Sequence, residues 1–187
     1  AVKKLSFKTV DGTPPFFTSD LSVLSPKPTA LECNAAINED GTIYWVAVKA
    51  GTDYPKPQAG ATEPPKLSSY EAKSAVANGK GIGNSGKNGK VSAKAEADTK
   101  INISGLVSET SYDIYYVAQD KAGNFSEIVK VLYNAHTLDT TGPTVTQRFA
   151  HTTDDGSKPF ADTTVDIVFS ETVRDQDEPN SELMALF

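Results

Sequence analysis

Several stretches hold residues whose types and spacing could do chemistry. Gly81-Ile82-Gly83-Asn84-Ser85-Gly86 fits G-x-G-x-x-G, and Gly81-x4-Gly86-Lys87 falls one residue short of a P-loop. A dinucleotide fingerprint needs a buried strand before it and a helix after it, so that pyrophosphate meets a helix N-terminus. Here an Ala-rich polar segment precedes and a Lys/Gly loop follows. Asn88 stands where a P-loop places the hydroxyl that binds Mg²⁺. A mobile Gly/Lys/Asn loop over Gly79–Gly89 is the better reading.

Carboxylates come next. Glu39 and Asp40 lie in a turn, and Asp120 stands at the far end of a different strand with no evident cleft between them. That argues against the paired acids of a glycoside hydrolase. Asp154-Asp155-Gly156 and Asp175-x-Asp177-Glu178 are acidic clusters that could offer oxygen ligands to a structural Ca²⁺, and Asp11 and Asp139 could do so at two junctions. No full calcium-loop pattern is present, and solvated turns are the plainer reading. His136 and His151 are the only histidines, so a Ser-His-Asp arrangement would rest on one of them. His136 reads as a strand-end residue and His151 as part of a polar turn. Cys33 is the single cysteine, which excludes an intrachain disulfide or a thiolate cluster. It shares a strand face with Leu31, Ala35 and Ile37 and reads as a small core residue. Trp45 sits in an apolar strand and reads as core, whereas Tyr54 stands among prolines and reads as exposed. Tyr54 and Tyr70, with Lys80 and Lys87, are the candidate ligand-binding residues, because rings stack on sugars and lysines can touch an anionic glycan.

Eighteen basic against twenty-four acidic residues give a net charge of −6. A protein that binds a phosphate backbone needs a basic footprint, so no nucleic-acid partner is expected. No apolar run approaches the roughly 18 residues of a membrane span. The chain opens on Ala1 with no signal-peptide pattern, which reads as a mature product or an excised piece.

The elements that must position these residues are short and alternating. Val2–Thr9, Phe16–Thr18, Ala30–Ile37 and Thr42–Val48 read as strands. Asn38-Glu39-Asp40-Gly41 makes the turn between the last two. Ile43–Val48 is apolar on both faces, as suits a central strand covered on one side by a second sheet. Residues Gly51–Leu67 are Pro-rich, and Ser68–Ala77 is the one helical candidate, stopped by Asn78-Gly79. Val91–Ala95, Lys100–Ser104, Tyr112–Gln119, Ile128–Thr137 and Thr163–Phe169 complete the strands. The whole predicts an all-β chain, an immunoglobulin-like β-sandwich with a long Pro/Gly-rich insertion and one short helix.

A junction recurs. Thr9-Val10-Asp11-Gly12-Thr13-Pro14 resembles Thr137-Leu138-Asp139-Thr140-Thr141-Gly142-Pro143, with Thr9 and Thr137, and Asp11 and Asp139, each 128 residues apart. Recurrence at domain length suggests tandem modules. Residues 1–13 then hold the last strand of a preceding module and a linker, and 14–138 one complete domain. Residues 139–143 form a second linker. Residues 144–187, too few for an independent sandwich core, begin another domain, which strand Val2–Thr9 could complete.

Leu106-x3-Thr110-x-Tyr112-x-Ile114-x-Tyr116-x-Ala118-x-Asp120 resembles the E–F corner and F strand of a fibronectin type III domain. Asp120-Lys121-Ala122-Gly123-Asn124-x-Ser126 is similar to the F–G turn of the bacterial branch of such modules, and Asn38–Val46 to their B–C region. Ile167-Val168-Phe169-Ser170-Glu171-x-Val173 is similar to the start of a bacterial Ig-like domain. The long insertion after Val48 is the one departure. The resemblance implies a non-catalytic structural or adhesion module of an extracellular, cell-surface tandem-domain protein. Its partners would be other modules of the same polypeptide and a cell-wall or host glycan or protein. No cofactor is implied beyond a possible structural Ca²⁺. The alternative is a carbohydrate-binding module accessory to a secreted glycan-active enzyme, reading its ligand through Gly51–Ala97.

Overall fold

The structure is a computed structural model that describes residues 9, 11–57, 60–84, 86–152 and 163–173. Val2–Lys8 therefore lie outside the described residues. The chain divides into two compact units, Ala1–Thr140 and Thr141–Phe187. The division falls inside the 139–143 segment.

Among the described residues of the first unit, seven strands alternate with turns at the positions where Gly, Asn and Asp punctuate the sequence. These are β1 (Phe17–Lys27), β2 (Ala30–Ile37), β3 (Gly41–Lys49), β4 (Lys87–Ala93), β5 (Thr99–Ser104), β6 (Ser111–Asp120) and β7 (Lys130–His136), with one helix, α1 (Tyr70–Asn78), between β3 and β4. They pair antiparallel into a three-stranded sheet, β1-β2-β5, and a four-stranded sheet, β4-β3-β6-β7.

Period-two alternation gives each strand an inner face. Leu31, Cys33, Ala35 and Ile37 of β2 and Ile101 and Ile103 of β5 meet Ile43, Trp45 and Ala47 of β3 and Tyr112, Ile114, Tyr116 and Ala118 of β6 in one buried cluster. Opposed pairs such as Leu31–Ile103, Cys33–Ile101 and Ile43–Ala118 fix the register, because a slip of one residue would turn this face to water. Gly89 of β4 lies opposite Trp45 in this layer, and a Cβ there would come within 2.5 Å of the indole Cζ2.

The Tyr112 hydroxyl accepts from Val107 N at 2.9 Å, so the Leu106–Tyr112 spacing makes the corner bond it anticipates. Thr137, fully buried, closes the same corner. Its hydroxyl donates to Val107 O at 2.7 Å and accepts from Thr110 N at 3.0 Å.

Two elements depart from the sequence reading. β1 runs far beyond Phe16–Thr18. Only Leu21 in it is fully buried, and register shifts interrupt its pairing with β2. That is how an edge strand with little apolar content looks. β4 starts at Lys87, so the Gly79–Gly89 segment is a loop only in its first part. β3 is covered on one side by the three-stranded sheet, as expected, and on the other by the insertion.

In the second unit β8 (Val145–Thr152) and β9 (Thr163–Phe169) form an antiparallel hairpin. Thr144 and Ser170 clasp its open end through Ser170 N to Thr144 O at 2.8 Å and Thr144 N to Ser170 Oγ at 3.0 Å. His151 lies in β8 and not in a turn, since its backbone pairs with Thr164.

Candidate functional site

The outer face of the four-stranded sheet is unusually apolar: Val46 and Val48 of β3 and Tyr115 and Val117 of β6 are all buried there. Residues 50–86 supply the cover. Ser69 caps α1, its hydroxyl accepting from Ala72 N at 3.2 Å, and Gly79 ends the helix in the left-handed region at φ 61°. Ala72 and Val76, four apart, form the stripe that seats the helix on the sheet. The insertion is tied down at both ends. Asp113 of β6, itself buried, accepts from Gly51 N at 3.2 Å, and Val129 N donates to Leu67 O at 2.9 Å.

Seating the helix leaves an open groove of about 680 Å³ beside it. One wall is the flank of α1 carrying Tyr70, Ser74, Ala77 and Asn78. The floor is the outer face of the sheet, where Asn88 and Lys90 of β4 stand opposite Val46 and Tyr44. Gln119 and Phe125 close the far side. Tyr44 donates from its hydroxyl to Gln119 Oε1 at 3.3 Å, and Gln119 Nε2 donates to Gly123 O at 3.1 Å. Phe125 meets Tyr70 edge-on at 5.8 Å between ring centres. Tyr70 remains 74% exposed. On the other side of the Tyr70–Ser74 ridge lies a second hollow of about 470 Å³, lined by Lys56, Pro57, Glu71 and Lys80 among others.

Of the four residues picked from the sequence as ligand contacts, Tyr70 and Lys80 share that second hollow. Tyr54 is not the exposed ring expected. It is 6% exposed, edge-on to Tyr115 at 4.9 Å, inside the layer between insertion and sheet. The prolines around it shape a path that turns its ring inward. Its hydroxyl has no hydrogen-bond partner among the described residues, and burial together with the neighbouring Tyr115 pushes its pKa up. Lys87 lies opposite Ala47 on the inner side of β4 and extends toward Gly105, away from Tyr70 and Lys80. The groove residues Tyr44, Asn78, Asn88, Lys90, Gln119 and Phe125 were not among the four.

The remaining chemistry is structural. The Gly81–Gly86 motif follows a helix and precedes a strand, the reverse of a nucleotide fingerprint. Cys33 is buried, which pushes its thiol up to about 11 and keeps it in the unreactive form. Burial likewise takes the Tyr116 phenol to about 12, partly offset by the bond its oxygen accepts from Leu21 N at 3.2 Å. His136 is exposed at the end of β7, its Nδ1 3.0 Å from Ser111 Oγ.

One sequence inference needs correcting. Glu39 and Asp120 are not apart, because Gly41 pairs directly with Asp120 and brings the 38–41 turn to the end of β6. Carboxylate oxygens of Asp11, Glu39 and Asp120 lie within 4.8 Å of one another. Burial of Asp120 favours its neutral form. Bonds from the Asn124 amide and from the backbone N–H groups of Asn124 and Gly123 outweigh that and hold its pKa below the usual carboxylate value. With one oxygen from each, these three carboxylates supply half or fewer of the six to eight ligands that Ca²⁺ takes. The candidate calcium ligands Asp154, Asp155, Asp175 and Asp177 lie outside the described residues.

No family model, no curated protein and no solved structure matches this chain.

Proposed function

We propose that this chain is a non-catalytic structural segment of an extracellular tandem-module protein, its first unit a fibronectin type III-like β-sandwich and its second the beginning of an Ig-like domain. The observation that carries the reading is the path of the chain through the first unit. The incoming segment is tied at one pole. Phe16 N donates to Asn38 Oδ1 at 2.7 Å, Asn38 N to Phe16 O at 3.1 Å, and Asn124 Nδ2 to Asp11 O at 2.9 Å. The outgoing segment is tied at the opposite pole, where Leu138 N donates to Lys27 O at 3.2 Å and Thr137 N to Thr110 O at 3.1 Å. The two poles are separated by the length of β6, ten residues and so about 33 Å.

A module entered at one pole and left at the other transmits tension along its strands. The recurrence of the Thr-x-Asp junction at both ends supports an array of such units. The partners are then the neighbouring modules of the same polypeptide.

The test is to pull the full chain by its two ends in a single-molecule instrument. The reading expects one cooperative extension of about 40 nm, the contour released by Asp11–Leu138 at about 3.6 Å per residue less its folded length. Gradual extension with no discrete step, or turnover of a glycan or ester by the chain, would overturn it.

A further inference from the structure

We propose that the groove between α1 and the outer face of the four-stranded sheet is a binding site for a short, neutral or weakly acidic oligosaccharide. The inference goes beyond the spacer role and stands on the groove alone.

A sugar ring has two kinds of surface. Its axial C–H groups form an apolar face that stacks on an aromatic ring, and its rim carries hydroxyls that each donate and accept. The groove offers the complement of both. Tyr70 is the stacking platform, since its ring is 74% exposed. It is held in place, because Phe125 braces it edge-on and it opens a helix rooted by Ala72 and Val76. A platform fixed before binding loses little freedom when the ligand arrives.

The rim groups face the amides. Asn78 lines the groove wall and uses its Nδ2 on Ser74 O at 2.8 Å, so its amide oxygen is left as an acceptor. Among the described residues nothing hydrogen-bonds to the side chains of Asn88 and Lys90, and both are exposed on the floor. Tyr44 and Gln119 are linked to each other, so their remaining lone pairs and protons have fixed directions. The volume of about 680 Å³ lies within the roughly 300–1,000 Å³ of small-ligand clefts.

The same residues discriminate between ligand classes. One lysine is too little charge for a phosphorylated or polyanionic ligand on a chain of net charge −6. The lining is more polar than a groove that takes an apolar helix or peptide. No carboxylate stands among the lining residues, so there is no group there to protonate a glycosidic oxygen or attack an anomeric carbon. The site holds a glycan and does not cut it.

The experiment titrates the full chain with a panel of oligosaccharides of the cello, chito, manno, xylo and galacturonic series, by calorimetry. At least one series is expected to bind. Tyr70→Ala should weaken that binding about tenfold, the scale of one lost aromatic stacking contact, and lower the melting temperature by a few degrees at most, since the side chain is largely exposed and gives up only its edge contact with Phe125. Asn88→Ala should weaken it as well, and Lys100→Ala, on the other sheet, should leave it as it was. A panel in which nothing binds at millimolar concentration overturns the proposal and leaves the spacer reading intact. So does binding that both Tyr70→Ala and Asn88→Ala leave unchanged, or a peptide as the only ligand that competes for Tyr70.

Discussion

At the scale of single residues, the buried side-chain polar atoms described in the first unit have hydrogen-bond partners, and the Tyr54 hydroxyl is the exception. It is buried with no partner among the described residues. A buried polar atom left unpaired costs about 1–3 kcal/mol, so removing it should not hurt. Tyr54→Phe keeps the edge contact with Tyr115 and is expected to leave stability unchanged or raise it by about 1 kcal/mol in a denaturant titration. A loss of that size would mean the hydroxyl has a bound water as partner. Thr137 is the control. Its hydroxyl serves Val107 O and Thr110 N, so Thr137→Val should destabilise by about 1–3 kcal/mol with the same shape. The sequence separates these cases only in part. Cys33 and Trp45 are legible as core because each sits on an apolar alternating face. Tyr54 misleads because prolines suggest exposure, and nothing local says that a strand some sixty residues later will cover it.

At the scale of elements, the central strands and β5 are the legible part. β2, β5 and β6 alternate cleanly, and β3 announces burial on both faces. β1 and β4 are legible only in part, as Phe16–Thr18 and Val91–Ala95, for a physical reason. Unlike β5, which is also an edge strand but keeps a clean alternation, these two edges are poor in buried apolar residues and carry the Lys, Pro or bulges that blunt pairing. β1 has Pro26 and a single buried Leu21, while β4 reads Lys-Asn-Gly-Lys. The groove is hidden for a related reason. Its floor residues Tyr44, Asn88, Lys90 and Gln119 come together only through pairing of β3 with β4 and β6, and its wall only once Ala72 and Val76 seat the helix. Of the groove residues, Tyr70 is the one among the four ligand contacts picked from the sequence. This construction predicts a separable third layer. Val76 is 1% exposed but packs only in the outer cluster. Val76→Ala should cost about 1–3 kcal/mol. In hydrogen exchange it should speed the amides of α1 well before those of β3 and β6. Equal acceleration in the sheets would mean that insertion and sheets open as one unit.

At the scale of the molecule, the two poles of the first unit are built differently, and acid should tell them apart. The outgoing pole is closed by neutral groups, the Tyr112 and Thr137 hydroxyls and backbone bonds. The incoming pole is closed by carboxylates. Asp40 accepts from Lys121 at 2.8 Å, from Ala95 N at 3.1 Å and from Lys94 at 3.1 Å, and these bonds, Lys121's foremost, hold its pKa well below the usual range. Asp120 is held below its ordinary value by its Asn124 and Gly123 bonds. A carboxyl whose folded value is depressed stabilises the fold above its unfolded value of about 3.9 and loses that contribution as pH falls toward the folded value. The melting temperature should therefore be flat from about pH 7 to 5 and fall below about pH 4. Asp40→Asn should lower the plateau slightly and flatten the acid limb. Because Asp40 and its lysines are solvent-facing, salt on the order of 1 M should do part of the same. Amides of the 38–41 and 121–125 turns should exchange faster at low pH, while those around Val107 and Thr137 stay protected. Acid limbs that run parallel in the wild type and Asp40→Asn would remove Asp40 from the account. Early loss of protection at the Tyr112 corner would place the weak pole at the other end.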